Sequence, residues 1–244
     1  MNPVVARLTL RQLLGRRRSL LLVAIGALMV LVAVLYRLGS PSPDEMPGWT
    51  TQLLATFGVA TLLPIVALIV GTGALGAEID EGTIVHLLAK PVPRGEIVLS
   101  KLVVVIAITA LLTSVPMVLG ALVAGGSSSA SLAVGFGVAS VAGCAVYAAI
   151  FMALSLVTGR ALILGLAYVL LWEGFLAALF AGTRVFSVRQ HTLAIADELA
   201  DVAEVVGETL DPVTALVVGG VTLVAATALA IRRLSTFEIR GEEA

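Results

Sequence analysis

Glu78 to Lys101 reads EIDEGTIVHLLAKPVPRGEIVLSK, a compact polar island between two long apolar runs. Its internal order has a physical logic. Thr83 is placed to cap a short helix through its hydroxyl, Ile84 to Ala89 supply one or two helical turns, and Pro91 stops them. The expected product is a short amphipathic helix lying at a membrane surface. Pro93 then suits the first turn of a new helix, and Arg94, Glu96 and Lys101 keep its start in the headgroup zone before the next apolar run. The stretch therefore reads as a connector between membrane spans.

Composition around the island agrees. The chain has 244 residues, 59% hydrophobic and only 13% charged, with a mean hydropathy of +1.08, far from soluble globular usage. A helix needs about 20 residues, at about 1.5 Å each, to cross about 30 Å of hydrocarbon. Six segments meet that length, near 19–36, 52–76, 102–124, 132–157, 161–181 and 213–231. They occupy nearly the whole chain, so a single transmembrane domain over 1–244 is expected, without room for a soluble catalytic domain. The fold class is an all-α polytopic membrane protein of six transmembrane helices.

Orientation follows from lysine and arginine, whose flanks resist translocation. With the N terminus inside, 12 of the 15 basic residues fall on the inner side, and only Arg37, Arg184 and Arg189 fall outside. An even number of spans returns the C terminus to the cytoplasm, and the Glu78–Lys101 loop faces inward too. The net charge of −1 thus hides a sidedness, with inner segments near +5 and outer ones near −5. This basic side is membrane topology. A nucleic-acid reader would interleave aromatics with its basic face, and aromatics are only 5% here.

The ordered pattern of an acid, Gly-Thr, paired leucines, Pro, Arg and Lys is carried by Glu78, Glu81, Gly82, Thr83, Leu87, Leu88, Pro91, Arg94 and Lys101. In this the chain resembles the permease subunits of ABC-2 type transporters, over about 24 positions following the second span. The resemblance implies that the loop is a cytoplasmic coupling helix, docking in a groove of a separate ABC ATPase subunit through those nine residues. It implies that ATP and Mg are bound by that partner and no cofactor by this chain. It further implies a second permease subunit, identical or paralogous, in a bacterial or archaeal cytoplasmic membrane. The bland alternative is an interfacial loop that meets only lipid headgroups.

At the start, Arg16-Arg17-Arg18 before an apolar run looks like the opening of a secretory signal peptide. The run is long enough to cross, however, and Tyr36-Arg37-Leu38 lacks the small residues that cleavage needs, so an uncleaved first span is expected. Upstream, Arg7, Arg11 and Arg18 share a helical face while Val5, Leu8, Leu10 and Leu13 lie broadly opposite, which predicts an interfacial helix. In the second span Pro64 predicts a kink. The string GTGALG at 71–76 matches G-x-G-x-x-G, but no strand precedes it and it lies inside an apolar helix, so it is no nucleotide site. Gly135, Gly137, Ser140 and Gly143 let helices approach closely, either within one subunit or at a dimer seam. Cys144, the one cysteine, reads as a small packing residue.

Glu173 is the only ionisable residue well inside an apolar run. An acid there costs roughly 3 kcal/mol of insertion, against about 3 to 7 returned by the span's aliphatic and phenyl side chains, so the span inserts but the acid needs a reason. Two readings stay open: a polar group lining the substrate pathway, or a structural glutamate hydrogen-bonded at a helix contact. Thr183 to Asp211 is the largest external segment, and its middle reads as one helix with two faces. Ile195, Leu199, Val202 and Val206 form an apolar stripe; Asp197, Asp201, Glu204 and Glu208 form an acidic one. A solvated face on a helix resting against the membrane is the expectation, with a metal or cation site as the alternative. His191 has no cysteine or second histidine near enough to suggest zinc.

Function follows by elimination as well as resemblance. An intramembrane enzyme needs facing polar groups within its spans, and these offer Glu173 alone. The expected function is the permease subunit of an ATP-driven transporter, with export as the family's usual direction. A non-transporting resistance or sensing subunit that also binds an ATPase would have the same loop.

Overall fold

In a computed structural model, which describes residues 3–13, 15–39, 42, 45–80, 82 and 93–236, every regular element is a helix. An amphipathic helix α1 (Pro3–Leu13) leads into α2 (Arg16–Leu38). After it, α3 (Met46–Leu53), a π-helical stretch Leu54–Leu62 and α4 (Leu63–Asp80) run on as one rod. A long helix α5 (Arg94–Gly125) turns through Gly126–Ser129 into α6 (Ala130–Val157). Then come α7 (Ala161–Ala167), which continues as a π-helical stretch Tyr168–Leu176 and a last turn Ala177–Leu179, and a 3₁₀ turn Ala181–Phe186. The chain closes with α8 (Val188–Ala200), the short α9 (Ala203–Val206) and α10 (Pro212–Ser235).

Among the described residues, four helical stretches are long and apolar enough to cross a membrane: Leu20–Leu38, Met46–Ile79, Arg94–Val157 and Pro212–Ser235. The chain is thus a multi-pass membrane protein. The third stretch is a hairpin. Gly126, at φ +65°, reverses the chain, and Ser114 Oγ meets Ser140 Oγ at 2.6 Å while Thr113 Oγ1 meets Cys144 Sγ at 3.2 Å, pairing α5 and α6 antiparallel. At 32 and 28 residues, each arm exceeds the roughly 20 residues that a crossing requires. Ala161–Leu176 is apolar but shorter.

Helix α6 is the centre of the bundle, touching α4, α5, α8 and α10. Its small residues make this close packing feasible: a Cβ at Gly135 would stand 2.7 Å from Ala200 Cβ, and one at Gly143 would collide with Thr192 Oγ1. The small-residue cluster is therefore used within the subunit. By contrast α2 and α10 leave large apolar side chains exposed, such as Leu21, Leu31, Leu216 and Val224, as lipid-facing helices do.

Several expectations change in detail. The N-terminal helix exists, but it buries Val5, Thr9 and Leu13 and leaves Leu8 and Leu10 exposed, a face set by contact with α4 and α5. The kink expected at Pro64 is taken up just before it as a widened helix. Proline has no N–H to close an α-turn, and the Leu63 N–H instead reaches five residues back to Gly58 O. Lys101, expected in the headgroup zone, is buried. The external segment is not one two-faced helix on the membrane: α8 is packed into the bundle and stops at Asp201, whose φ of +50° is left-handed. The coupling helix expected over 84–89, with Glu81, Thr83, Leu87, Leu88 and Pro91, lies outside the described residues.

Candidate functional site

Two constellations of enclosed polar groups emerge. The first closes the base of the polar loop. Glu78 lies in the last turn of α4, and Lys101 lies two turns into α5. Lys101 Nζ donates to Glu78 Oε1 at 2.6 Å and to the Ala74 carbonyl at 2.7 Å, with the lysine 1% and the glutamate 18% exposed. An ammonium this enclosed is tolerable only because a carboxylate and a carbonyl oxygen replace its water. The two residues, 23 apart in sequence, thereby bolt together the helices that enter and leave the loop. Two more of the residues assigned to the loop are described. Gly82 takes φ +68°, a conformation that suits glycine. Arg94 opens α5 half-buried, and its Nη1 is shielded without a partner among the described residues.

The second constellation surrounds Glu173, which is 4% exposed in the π-helical stretch after α7. Its Oε1 accepts from Tyr168 OH at 3.0 Å and from the Val188 N–H at 2.9 Å. Its Oε2 accepts from Ser187 Oγ–H and, more weakly, from the Arg189 N–H at 3.4 Å. Ser187 Oγ in turn accepts from the Gln190 N–H at 3.2 Å. The first three amides of α8 thus find acceptors in one carboxylate and one hydroxyl. The first N–H groups of a helix have no partner within it, and the helix dipole adds partial positive charge there, so a carboxylate is the complementary group.

That cap explains where α8 starts. Val188 packs in a cluster with Cys144 and Tyr147 halfway along α6, whereas Ala200 meets Gly135 near the start of α6. The chain therefore rises past Glu173, reverses over 180–187, and begins a new helix at the level of the carboxylate. His191 secures the reversal: its Nε2 donates to Val185 O at 2.7 Å. A buried helix start without such acceptors would be costly. Of the two readings left open for Glu173, the contacts found are those of a helix junction.

The acidic stripe does not assemble. Asp197 accepts from the Val202 N–H at 2.8 Å and Thr209 Oγ1–H at 2.7 Å, ordering the turn that ends α8, while Asp201, Glu204 and Glu208 are exposed. No group of three His, Cys, Asp or Glu residues able to hold a metal occurs among the described residues. Sequence reasoning missed Ser187, Tyr168 and His191 as partners in the Glu173 junction. A signal was there: Ser187 followed by Gln190 is the S-x-x-Q spacing of a helix start.

A family model described as ABC-2 family transporter protein matches residues 14–191, about three quarters of the chain. None of the curated proteins matches it. The matched range contains both constellations and stops short of α10.

Proposed function

Since the chain belongs to the ABC-2 transporter family, whose members are membrane transport subunits associated with an ABC ATPase, we propose that it is the permease subunit of an ATP-driven exporter. Six spans carry the pathway: α2, the α3–α4 rod, α5, α6, α7 with its extension, and α10. Both termini and the Glu78–Lys101 loop face the cytoplasm of a bacterial or archaeal cell, as the distribution of lysine and arginine favours. A partner ATPase holds ATP and Mg and docks at the loop, and a second permease subunit, identical or paralogous, completes the pathway as one transmembrane domain per chain.

The observation that carries this is the bolted loop base. Closure of an ATPase moves whatever it grips, and a loop whose two ends are tied by Lys101, Glu78 and Ala74 moves α4 and α5 together instead of fraying. Arg94, which opens α5 at the loop, is only half-buried and has a guanidinium nitrogen unpaired among the described residues, so it is a loop-side cation that can turn to meet an acid of the partner.

Pull-down from the native membrane in mild detergent tests the docking. The wild type is expected to bring down a P-loop ATPase, and Arg94→Glu to bring down markedly less, because attraction at that contact becomes repulsion. Equal recovery from both would remove the loop from the docking role. ATP-dependent flux into sealed vesicles tests the exporter itself; a complex that hydrolyses ATP and moves nothing is the non-transporting subunit instead.

A further inference from the structure

Between α6, α8 and α10 lies a crevice of about 180 Å³, lined by Gly143, Val146, Val188, His191, Gly219 and Gly220 among others. Its walls are almost wholly apolar. The lining side chains include two with polar atoms, and one of these, Thr192 Oγ1, already donates to Val188 O at 2.9 Å. The other is His191, 4% exposed, whose Nδ1 has no partner among the described residues.

The ring's carbonyl partner sets where the hydrogen of its other nitrogen lies. Nε2 lies 2.7 Å from the Val185 carbonyl oxygen, which can only accept, so Nε2 carries the hydrogen. In the neutral ring Nδ1 is then an acceptor with a free lone pair, and leaving it unpaired in an apolar wall is unfavourable. Space is left beside it. Gly219 has no side chain, and a Cβ there would stand 3.6 Å from Nδ1; a Cβ at Gly220 would have nothing within 4 Å. The mouth opens beside Leu216, which is 59% exposed on the lipid-facing side of α10.

We propose that this crevice binds a bilayer-borne amphiphile with an apolar chain and a single hydroxyl, the hydroxyl donating to His191 Nδ1. An apolar slot with one acceptor and a lipid-facing mouth selects for one donor on a hydrocarbon body. The site lies away from the loop base; it shares Val188 and His191 with the junction that Glu173 anchors, but the acceptor it offers is His191 Nδ1, which takes no part in holding the carboxylate.

The test uses the full chain in phosphatidylcholine nanodiscs, photolabelled with a diazirine-bearing octanol and, in parallel, with the same diazirine alkane lacking the hydroxyl. Labelled peptides are mapped by mass spectrometry. The alcohol is expected to label residues 188–223 about fivefold more than the alkane, the scale of one net hydrogen bond. Hexadecanol in the bilayer should compete, and hexadecane should not. Gly219→Ala places a methyl group at ordinary contact distance from Nδ1 without a clash, so the protein should fold normally and the alcohol preference should fall to parity. Gly220→Leu fills the open mouth and should lower labelling by both probes. Equal labelling by the two probes in the wild type would mean that water alone meets Nδ1 and would overturn the proposal. So would a preference that survives in Gly219→Ala, or labelling that hexadecanol leaves unchanged.

Discussion

The loop base and the α8 junction each enclose a glutamate, Glu78 in part and Glu173 almost wholly, yet they stabilise it by different means. Glu78 is matched by a cation on the neighbouring helix, so the site is an ion pair between two side chains. Glu173 is matched by Tyr168, Ser187 and backbone N–H groups at the start of α8, so its charge is balanced by oriented dipoles. An ion pair joins two points and is reciprocal: either partner without the other is a buried or half-buried charge. A helix-start cap is one-sided, because the amides remain whatever happens to the carboxylate. The first arrangement ties two helices to each other, and the second decides where a helix begins.

The difference predicts opposite behaviour under paired substitution, and the largest effect belongs to the ion pair. Glu78→Leu leaves the Lys101 ammonium enclosed with the Ala74 carbonyl as its remaining partner here, and breaking a buried pair from one side costs about 3 to 5 kcal/mol. Heating the purified protein and following its loss of monodispersity should show a large downward shift. Adding Lys101→Met to that variant removes the stranded charge and should return most of the stability. A double variant as unstable as the single one would show that the loop base depends on something other than charge pairing.

No second side-chain change should rescue the other site. Glu173→Gln keeps the size of the side chain but turns one acceptor oxygen into an NH₂ donor that faces donors at the start of α8. Loss of a charge-assisted acceptor is worth about 2 to 3 kcal/mol. Hydrogen exchange is the sharper readout: the Val188 and Arg189 amides should lose protection while amides within α6 keep theirs. Flux should also fall if the placement of α8 matters to the pathway. Unchanged exchange at Val188 in this variant would break the contrast between the two sites.

These two regions also differ in how far the sequence exposed them. The helical, multi-pass fold was legible because it depends on apolar length, a property local to each run. The loop could be picked out because its polarity is set against apolar neighbours, and Glu173 stood out for the opposite reason, as an acid where apolar residues were due. What each glutamate does was not legible. Lys101 reads as a residue flanking a span until its reach to Glu78 across 23 positions is seen, and a connection across a loop leaves no periodic trace. Likewise, the acidic and apolar stripes over Ile195–Glu208 assume a continuous helix, and that periodicity holds only if the backbone does not turn. It turns at Asp201, where a left-handed residue and the Asp197 carboxylate together end α8.

Asp197 offers the smallest test, since it serves the far end of the helix that Glu173 starts. Its carboxylate holds the Val202 N–H and the Thr209 hydroxyl through different oxygens, so it closes the turn after α8 much as Glu173 closes the one before. Asp197 and Thr209 are only part-buried, although Val202 is buried, so water can reach the carboxylate and replace part of what is lost. Asp197→Asn keeps one acceptor and sets an NH₂ group against a donor, for an expected cost of about 1 kcal/mol. Exchange at the Val202 amide should rise while Val188 stays protected, because the two ends of α8 are held by separate groups. If both amides lost protection together, α8 would open as one unit, and the anchor at Glu173 would depend on its far end as well as on its own carboxylate.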